Sequence, residues 1–174
     1  MEKNIQELVK AAKKQDAAAF ATLYEMVYKD MYAYAFYMLR GQQDAEDVVS
    51  ETAMYAFEKI GKLKSPERFR HWIFAILANQ CRRKRGSYIN EPAELTEDLQ
   101  EPQAETSLEE RHDLQCAFAV LSEEEKTIVN SFVFAGFKGQ EIAERLSLNP
   151  STVRSKYRRA LEKMRKYLEG GVPA

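Results

Sequence analysis

A chain of 174 residues with 45% hydrophobic and 30% charged residues is expected to form one globular domain or two small ones. Its two cysteines, Cys81 and Cys116, have neither the spacing of a disulfide framework nor that of a zinc site, so we expect no metal site and no cofactor. No run approaches the roughly 20 apolar residues that a membrane span requires, and the charged, amphipathic N-terminus is unlike a signal peptide. We therefore expect a cytoplasmic protein without membrane insertion.

Charge is distributed unevenly along the chain, although the formal net charge is only −1. Residues 1–86 contain 15 Lys and Arg against 11 Asp and Glu. Residues 87–110 contain 8 acidic residues and no Lys or Arg, and residues 111–174 contain 11 basic and 8 acidic residues. An acidic middle thus separates two basic ends. Because local charge decides where a polyanion binds, both ends are candidates for nucleic-acid binding.

The first predicted elements are two helices whose apolar residues recur at three- and four-residue steps. A short helix is expected over residues 5–12, and a longer helix over residues 16–39. The apolar stripe of the longer helix consists of Phe20, Leu23, Tyr24, Val27, Met31, Tyr34, Ala35 and Met38. Its aromatic density indicates packing in a core rather than a ligand site.

An acidic segment opens the next predicted helix, over residues 44–60. Asp44 is placed to cap this helix, and Glu46 and Asp47 suit its positive N-terminal end. The residues expected to face inward are Ala45, Val49, Thr52, Ala53, Ala56 and Ile60. Helix electrostatics alone explain the carboxylates. A metal–carboxylate site is disfavoured because the sequence has no Glu-x-x-His motif.

A loop and a basic helix follow. Gly61 is expected to end the preceding helix, and residues 62–68 form a loop that contains Pro66. The next helix is predicted over residues 69–85, with Trp72, Ile73, Ile76 and Leu77 along one face. It ends in four consecutive cations, residues 82–85. Four cations exceed what the helix dipole needs, so we expect this run to contact phosphates.

The composition changes after this helix, and a second helical domain follows. Residues 87–106 contain many Glu, two Pro and few large apolar residues, which is typical of an extended or disordered linker. Within residues 107–170, Ser122 and Glu125 have the spacing of a capping box. The helix that they open is expected to bury Ile128, Val129, Phe132 and Val133. The sequence therefore predicts an all-α protein with two small helical domains, 1–86 and 107–170, joined by an acidic flexible linker, 87–106.

The last two predicted helices have the pattern of a helix-turn-helix. Residues 141–146 form the first helix, and residues 147–149 form the turn. Asn149 is a good N-cap residue whose side chain can accept from backbone amides, and Pro150 suits the first helical position. Ser147 stands at the turn position that is often Gly. The second helix carries Arg154, Lys156, Arg158, Arg159, Lys163, Arg165 and Lys166. A basic second helix is how this motif reads the DNA major groove.

Two stretches together resemble the sigma-70 family of bacterial RNA polymerase sigma factors, in particular the small extracytoplasmic-function group. The first contains DAEDVVSE at residues 44–51 and is similar to sigma region 2. The second contains EIAERL at residues 141–146 and STVRSKYRRA at residues 151–160, and is similar to region 4. The resemblance covers nearly the whole chain. It implies a protein that is not itself an enzyme and that directs core RNA polymerase to promoters.

The resemblance also implies partners and site residues. The polymerase would be bound at its largest-subunit clamp helices and at its flap. The residues implied for polymerase binding are Asp44, Glu46, Asp47, Val48 and Glu51. The residues implied for the −10 promoter element are Lys64, Ser65, Pro66, Arg68, Asn79, Arg82, Arg83 and Arg85. The residues implied for the −35 element are Ser151, Thr152, Arg154, Ser155, Lys156, Arg158 and Arg159. An anti-sigma factor is a further partner that the family implies.

An alternative function remains open from the residues alone. The chain would then be a stand-alone helix-turn-helix regulator, with residues 1–86 as a dimerisation or sensor domain. This alternative explains the C-terminal half equally well. It explains neither the acidic motif at residues 44–51 nor the basic run at residues 82–85. An all-helical enzyme is disfavoured because the sequence presents no nucleophile–base pair and no metal-ligand set.

Overall fold

The computed structural model describes residues 2–39, 41–88 and 108–170, and within these ranges every regular element is a helix. The predicted all-α class is confirmed. The chain divides into two units, Met1–Asp98 and Leu99–Ala174. The helices are α1 (Glu2–Ala12), α2 (Ala17–Met38), α3 (Gln42–Lys59), α4 (Phe69–Ser87), α5 (Leu108–Ala119), α6 (Glu123–Val133), α7 (Gly139–Leu146) and α8 (Pro150–Leu168).

Helix α2 is the centre of the N-terminal unit and packs against α1, α3 and α4. It begins where predicted, because the Asp16 carboxylate accepts from the amides of Ala18 and Ala19 at 3.0 and 3.1 Å. The buried residues of α2 are Ala19, Phe20, Leu23, Val27, Met31, Tyr32, Tyr34, Ala35 and Met38. The predicted stripe is thus confirmed except for Tyr24, which is only half-buried.

Helix α3 begins two residues earlier than predicted. Gly41 precedes its first residue, and Asp44 lies inside the first turn, so the prediction that Asp44 caps the helix is wrong. The buried residues of α3 are Ala45, Val48, Val49, Thr52 and Ala56. A 3-10 turn at Ile60–Lys62 continues the helix and buries Ile60. Gly61 therefore lies within this turn, and the regular helix already ends at Lys59.

Helix α4 packs through the predicted residues Ile73 and Leu77, but its buried face is rotated from the one predicted. Its buried residues are Phe69, Ile73, Phe74, Leu77 and Cys81. Trp72 and Ile76, which were expected inside, are only half-buried. Arg70 donates to Asp30 of α2 at 2.7 Å, and this contact joins the start of α4 to the centre of the unit. Phe74, rather than Trp72, therefore packs in the core.

Helix α4 ends two residues later than predicted and includes the first residue of the predicted linker, Ser87. The helix runs through Ser87, and the hydroxyl of Tyr88 donates to Asp44 at 2.5 Å. Ser87 and Tyr88 therefore pack with the N-terminal unit. The rest of the predicted linker, residues 89–106, lies outside the described residues. Its exact limits stay a prediction.

The C-terminal unit packs α5, α6 and α7 against α8. The predicted capping box opens α6. The amide of Glu125 donates to the Ser122 hydroxyl at 3.3 Å, and the amide of Ser122 donates to the Glu125 carboxylate at 2.9 Å. Ile128 and Val129 are buried as expected, but Val133 is 53% exposed, so that prediction is wrong. Val133 is the last residue of α6.

Candidate nucleic-acid and protein interfaces

The turn between α7 and α8 has the predicted helix-turn-helix geometry. Ser147 takes a left-handed conformation with φ 56°, in the position where such turns often have Gly. The amide of Leu148 donates to the carbonyl of Ala143 at 2.9 Å and closes the end of α7. Asn149 precedes α8 and Pro150 is the first helical residue, as predicted. The Asn149 side chain makes no capping hydrogen bond, so its predicted acceptor role is wrong.

Helix α8 rests on the other helices of its unit through three buried side chains, Val153, Ala160 and Met164. The ring of Tyr157 packs on that of Phe132 in α6, with centroids 4.4 Å apart. Buried residues therefore lie on one side of α8 only, and the opposite side faces solvent along the whole helix.

Most of the residues predicted to contact the −35 element lie on that exposed side. Thr152 and Lys156 are half-buried on its flank. The exposed members are Ser151, Arg154, Ser155, Arg158 and Arg159. The Nε atom of Arg159 donates to the carbonyl of Ser155 at 3.3 Å, so this guanidinium lies back along the helix. The first three turns of α8 thus present a cationic, hydrogen-bonding surface.

Two lysines of α8 form ion pairs with the N-terminal turn of α6. The Nζ atom of Lys156 lies 3.1 Å from Glu124 Oε2, and that of Lys163 lies 2.8 Å from Glu125 Oε1. Burial by itself would raise the pKa of Glu125, but the hydrogen bonds from Lys163 and Ser122 outweigh it and lower the pKa. These lysines therefore help to orient α8, and Lys156 combines this contact with its predicted place beside DNA.

The end of α4 presents fewer free cations than its sequence suggests. Asn79, Arg82 and Arg83 are exposed. Arg85 is half-buried, and burial lowers the pKa of its guanidinium below the ordinary value. The Nζ atom of Lys84 lies 2.9 Å from Asp44 Oδ1. The Lys84 ammonium thus pairs with a carboxylate of its own unit, and phosphate contact by the whole run stays a prediction.

The loop before α4 is anchored at both ends by buried side chains. Leu63 and Phe69 are almost fully buried, and between them Pro66–Arg68 form a 3-10 turn. Four of the residues predicted to contact the −10 element lie in this loop: Lys64 and Arg68 are exposed, and Ser65 and Pro66 are half-buried. Firm anchors with exposed cations between them suit a segment that contacts a ligand.

Three of the five residues of α3 that were predicted to bind polymerase are exposed, and two are not. Glu46, Asp47 and Glu51 are exposed and share one side of the helix. Val48 is 2% exposed and packs inside, so its prediction as a polymerase contact is wrong. It follows Ala45 by three residues and precedes Thr52 by four, which places it on the buried stripe. Asp44 is half-buried and accepts from both Lys84 and Tyr88.

Sequence reasoning missed an apolar continuation of this acidic face. Met54 is 67% exposed and Tyr55 is 45% exposed, three and four residues beyond Glu51. Neither belongs to the buried stripe of α3, and their helical spacing from Asp47 and Glu51 was the signal that could have identified them. The exposed side of α3 therefore carries the apolar side chains Met54 and Tyr55 between the acidic residues Glu51 and Glu58.

Neither of the two cysteines, Cys81 and Cys116, belongs to the surfaces described above. Cys81 is buried, and burial raises the pKa of its thiol to about 12, so the thiol stays protonated. Cys116 Sγ lies 3.8 Å from His112 Nδ1.

Across the ranges that the structure describes, no group of three or more His, Cys, Asp and Glu residues is placed to bind a metal ion. None of the described helices has the length and apolarity to cross a membrane.

Comparison with protein-family models finds two regions in this chain. Residues 23–87 match the model for sigma-70 region 2, and residues 111–164 match the model for sigma-70 region 4. The first match contains α3, the loop and α4, and the second contains α7 and α8 as far as Met164.

Individual relatives agree with these matches. The chain is 26% identical to the ECF RNA polymerase sigma factor SigW of Bacillus subtilis, over 97% of this chain and 98% of SigW. It is 30% identical to the RNA polymerase sigma factor NccH of Alcaligenes xylosoxydans xylosoxydans, over 74% of this chain and 75% of NccH. Its fold is similar to that of the sigma factor RpoE of Bartonella quintana, solved with the anti-sigma factor NepR. That comparison has a TM-score of 0.71 at 23% identity and covers 86% and 96% of the two chains.

Proposed function

Because the chain belongs to the extracytoplasmic-function group of the sigma-70 family, we propose that it binds core RNA polymerase and reads both promoter elements. The C-terminal unit would recognise the −35 duplex, and the N-terminal unit would hold the opened −10 strand. The observation that carries this proposal is the presence of both family regions in one chain, each with an exposed basic surface. The chemistry is binding and strand separation rather than catalysis by the chain itself.

Recognition of the −35 element is supported by the exposed side of α8. A helix fits the major groove, and Arg paired with guanine O6 and N7 is the commonest specific contact there. Arg154 and Ser155 project from the first two turns, where the positive end of the helix also favours a nearby phosphate. Arg158 and Arg159 extend the same surface. Thr152 and Lys156 on its flank would contact the backbone and set the register.

Stabilisation of the open −10 strand is supported by the loop at residues 62–68 and the end of α4. Unstacking bases costs a few kcal/mol per step, and pockets and cationic grooves offset this cost for a single strand. Asn79, Arg82 and Arg83 form an exposed polar and cationic surface, with Lys64 and Arg68 exposed in the loop of the same unit. We assign these residues to the −10 strand, with Ser65, Pro66 and Arg85 beside them.

Polymerase binding is supported by the exposed side of α3. Glu46, Asp47 and Glu51 suit a basic partner surface, and Met54 and Tyr55 add an apolar area of the kind found at the centre of protein interfaces. The clamp helices of the largest polymerase subunit would bind here, and the flap would bind the C-terminal unit. An anti-sigma factor is a further proposed partner, since RpoE of similar fold was solved with one.

The decisive experiment reconstitutes the holoenzyme. The purified chain is mixed with core polymerase, tested for co-elution, and used to select promoters from a randomised library. We expect a complex that transcribes only in the presence of the chain and that selects two conserved elements. Core polymerase alone is the control. A chain that binds DNA but not core polymerase would instead be the stand-alone regulator.

A further inference from the structure

Three side chains connect the proposed polymerase-binding helix to the proposed −10 helix. Asp44 lies in the first turn of α3, and Lys84 and Tyr88 lie at the end of α4. Asp44 Oδ1 is 2.9 Å from Lys84 Nζ, and Asp44 Oδ2 is 2.5 Å from the Tyr88 hydroxyl. Each carboxylate oxygen thus has its own donor. We call these three residues the Asp44 cluster.

We infer that Asp44 is a positioning residue that orders the −10-binding end of α4, and that it is not a contact of core polymerase. The inference rests on the proposed function, because it assigns a role within that function. It separates Asp44 from Asp47, which lies only three residues along the same helix.

The first argument is that the Asp44 carboxylate is already engaged. Hydrogen bonds to a charged acceptor are short and roughly twice as strong as neutral ones. The Asp44 side chain is 24% exposed and that of Lys84 is 31% exposed, so water screens this pair less than a fully exposed pair. A polymerase cation would have to displace both donors to reach Asp44. Asp47 and Glu51 are exposed to such a cation without this cost.

The second argument is the alignment of helix ends. The positive N-terminal end of α3 and the negative C-terminal end of α4 come together at the cluster. Asp44 carries negative charge at the positive end, and Lys84 carries positive charge at the negative end. Each side chain therefore stabilises its own helix terminus as well as its partner. The site favours a permanent intramolecular contact.

The third argument concerns the order of the last turn of α4. Helix ends fray because their last carbonyl groups lack intrahelical donors. The amide of Tyr88 donates to the carbonyl of Arg85 at 3.2 Å, and its hydroxyl holds the turn against α3. Arg82 and Arg83 lie within the two turns so restrained, and both are exposed. Because these side chains are ordered before DNA binds, the loss of conformational entropy on binding is smaller.

The test separates two affinities of the reconstituted holoenzyme. The first is the affinity of the chain for core polymerase, and the second is the affinity of the holoenzyme for a single-stranded oligonucleotide with the selected −10 sequence. Asp44→Asn is compared with the matched variant Asp47→Asn. We expect Asp44→Asn to leave core affinity within about twofold and to weaken strand binding about three- to tenfold, the loss typical of a partly exposed ion pair and its ordering. Asp47→Asn should show the opposite pattern.

Two further variants examine the partners. Lys84→Met and Tyr88→Phe should also weaken strand binding with core affinity unchanged. Asp44→Asn combined with Lys84→Met should be no worse than the more severe single change, because both remove the same contact. Binding of the −35 duplex should stay at the wild-type level in all variants. A general loss of folding would reduce every affinity together, and Tyr88→Phe removes only one hydroxyl, so this variant keeps the test valid if Asp44→Asn unfolds.

The outcomes distinguish the inference from the proposed function. Loss of core affinity in Asp44→Asn, to the extent seen in Asp47→Asn, would make Asp44 a polymerase contact and overturn the inference. Unchanged strand binding in Asp44→Asn and Tyr88→Phe would also overturn it. In both cases the wild-type holoenzyme still forms, so the proposed function stands. A wild-type chain that binds no core polymerase would overturn both.

Discussion

Helices α4 and α8 both carry several exposed cations, but they bury different amounts of apolar side chain. Helix α4 buries large apolar side chains, among them Ile73, Phe74 and Leu77, at the centre of its unit. Helix α8 buries only Val153, Ala160 and Met164. Both helices also form ion pairs with neighbouring helices, as Arg70 does with Asp30 of α2 and Lys156 does with Glu124 of α6.

The difference teaches how each helix presents its charges. The proposed DNA contacts of α8 lie near its N-terminus, where the helix dipole already attracts phosphate, so a few arginines suffice. Those of α4 lie near its C-terminus, where the dipole opposes phosphate and must be offset by cations. In both helices one lysine, Lys84 or Lys156, pairs with a carboxylate of a neighbouring helix. In both helices arginines occupy the exposed side.

The largest effect is expected from the apolar support of α4. Leu77 is fully buried, and Leu77→Ala should reduce the free energy of unfolding of the N-terminal unit by about 2–5 kcal/mol. Urea denaturation of the chain measures this change. The exposed Arg83→Ala, on the same helix, should remain within about 0.5 kcal/mol of wild type. Equal effects of the two variants would mean that apolar burial is not what holds α4.

The next effect concerns base reading by α8. Arg154→Ala should cost about 1–3 kcal/mol on the selected −35 sequence and relax the preference at one position. Lys156→Ala should cost less binding free energy, because Lys156 already pairs with Glu124 at 3.1 Å. Its loss should be equal on all sequences, because its proposed contact is with the DNA backbone. Titration of holoenzyme against a panel of −35 duplexes gives both numbers. If the loss in Arg154→Ala is the same on every duplex, Arg154 contacts only phosphate.

A smaller effect is expected from the ion pair of Glu125 with Lys163. Glu125→Gln should destabilise the C-terminal unit by about 0.5–1 kcal/mol at neutral pH. The pKa of Glu125 is lowered in the folded state, so its stabilisation is complete above the ordinary value of 4.5 and is lost as the pH falls through the lower folded pKa. Thermal unfolding at pH 7 and pH 3 should therefore show wild type and variant converging in acid. A constant difference would show that the charge of Glu125 is not involved.

The smallest effect is a gain in stability at the turn. Ser147→Gly should stabilise the C-terminal unit by up to about 1 kcal/mol, because relief of the left-handed conformation exceeds the added chain entropy. The matched substitution Ser155→Gly, in the middle of α8, should destabilise the unit by about 0.5 kcal/mol. Denaturant midpoints of the two variants should therefore move in opposite directions. A loss in Ser147→Gly would mean that the serine side chain supports the turn.

Local patterns were sufficient for most of the helices. Asp16 and Ser122 begin α2 and α6 because their side chains accept from nearby amides, an interaction that spans two or three residues. Pro150 begins α8 for a similarly local reason. The apolar stripe of α2 also follows from spacing along one helix. Errors at helix faces, at Phe74 and Val133, arose because burial there depends on which neighbouring helix each side meets. Errors at helix starts arose at Asp44 and Asn149, whose side chains do not cap.

The sequence by itself determined the all-α class, the helix-turn-helix and the two family regions, because each depends on residues close together in the chain. Only the tertiary structure decided how the candidate surfaces are divided. It placed Val48 inside, left Met54 outside, and joined Asp44 to Lys84 and Tyr88, which follow it by 40 and 44 residues. Such contacts depend on how helices pack, and helix periodicity does not specify which charged residues of two packed helices will meet.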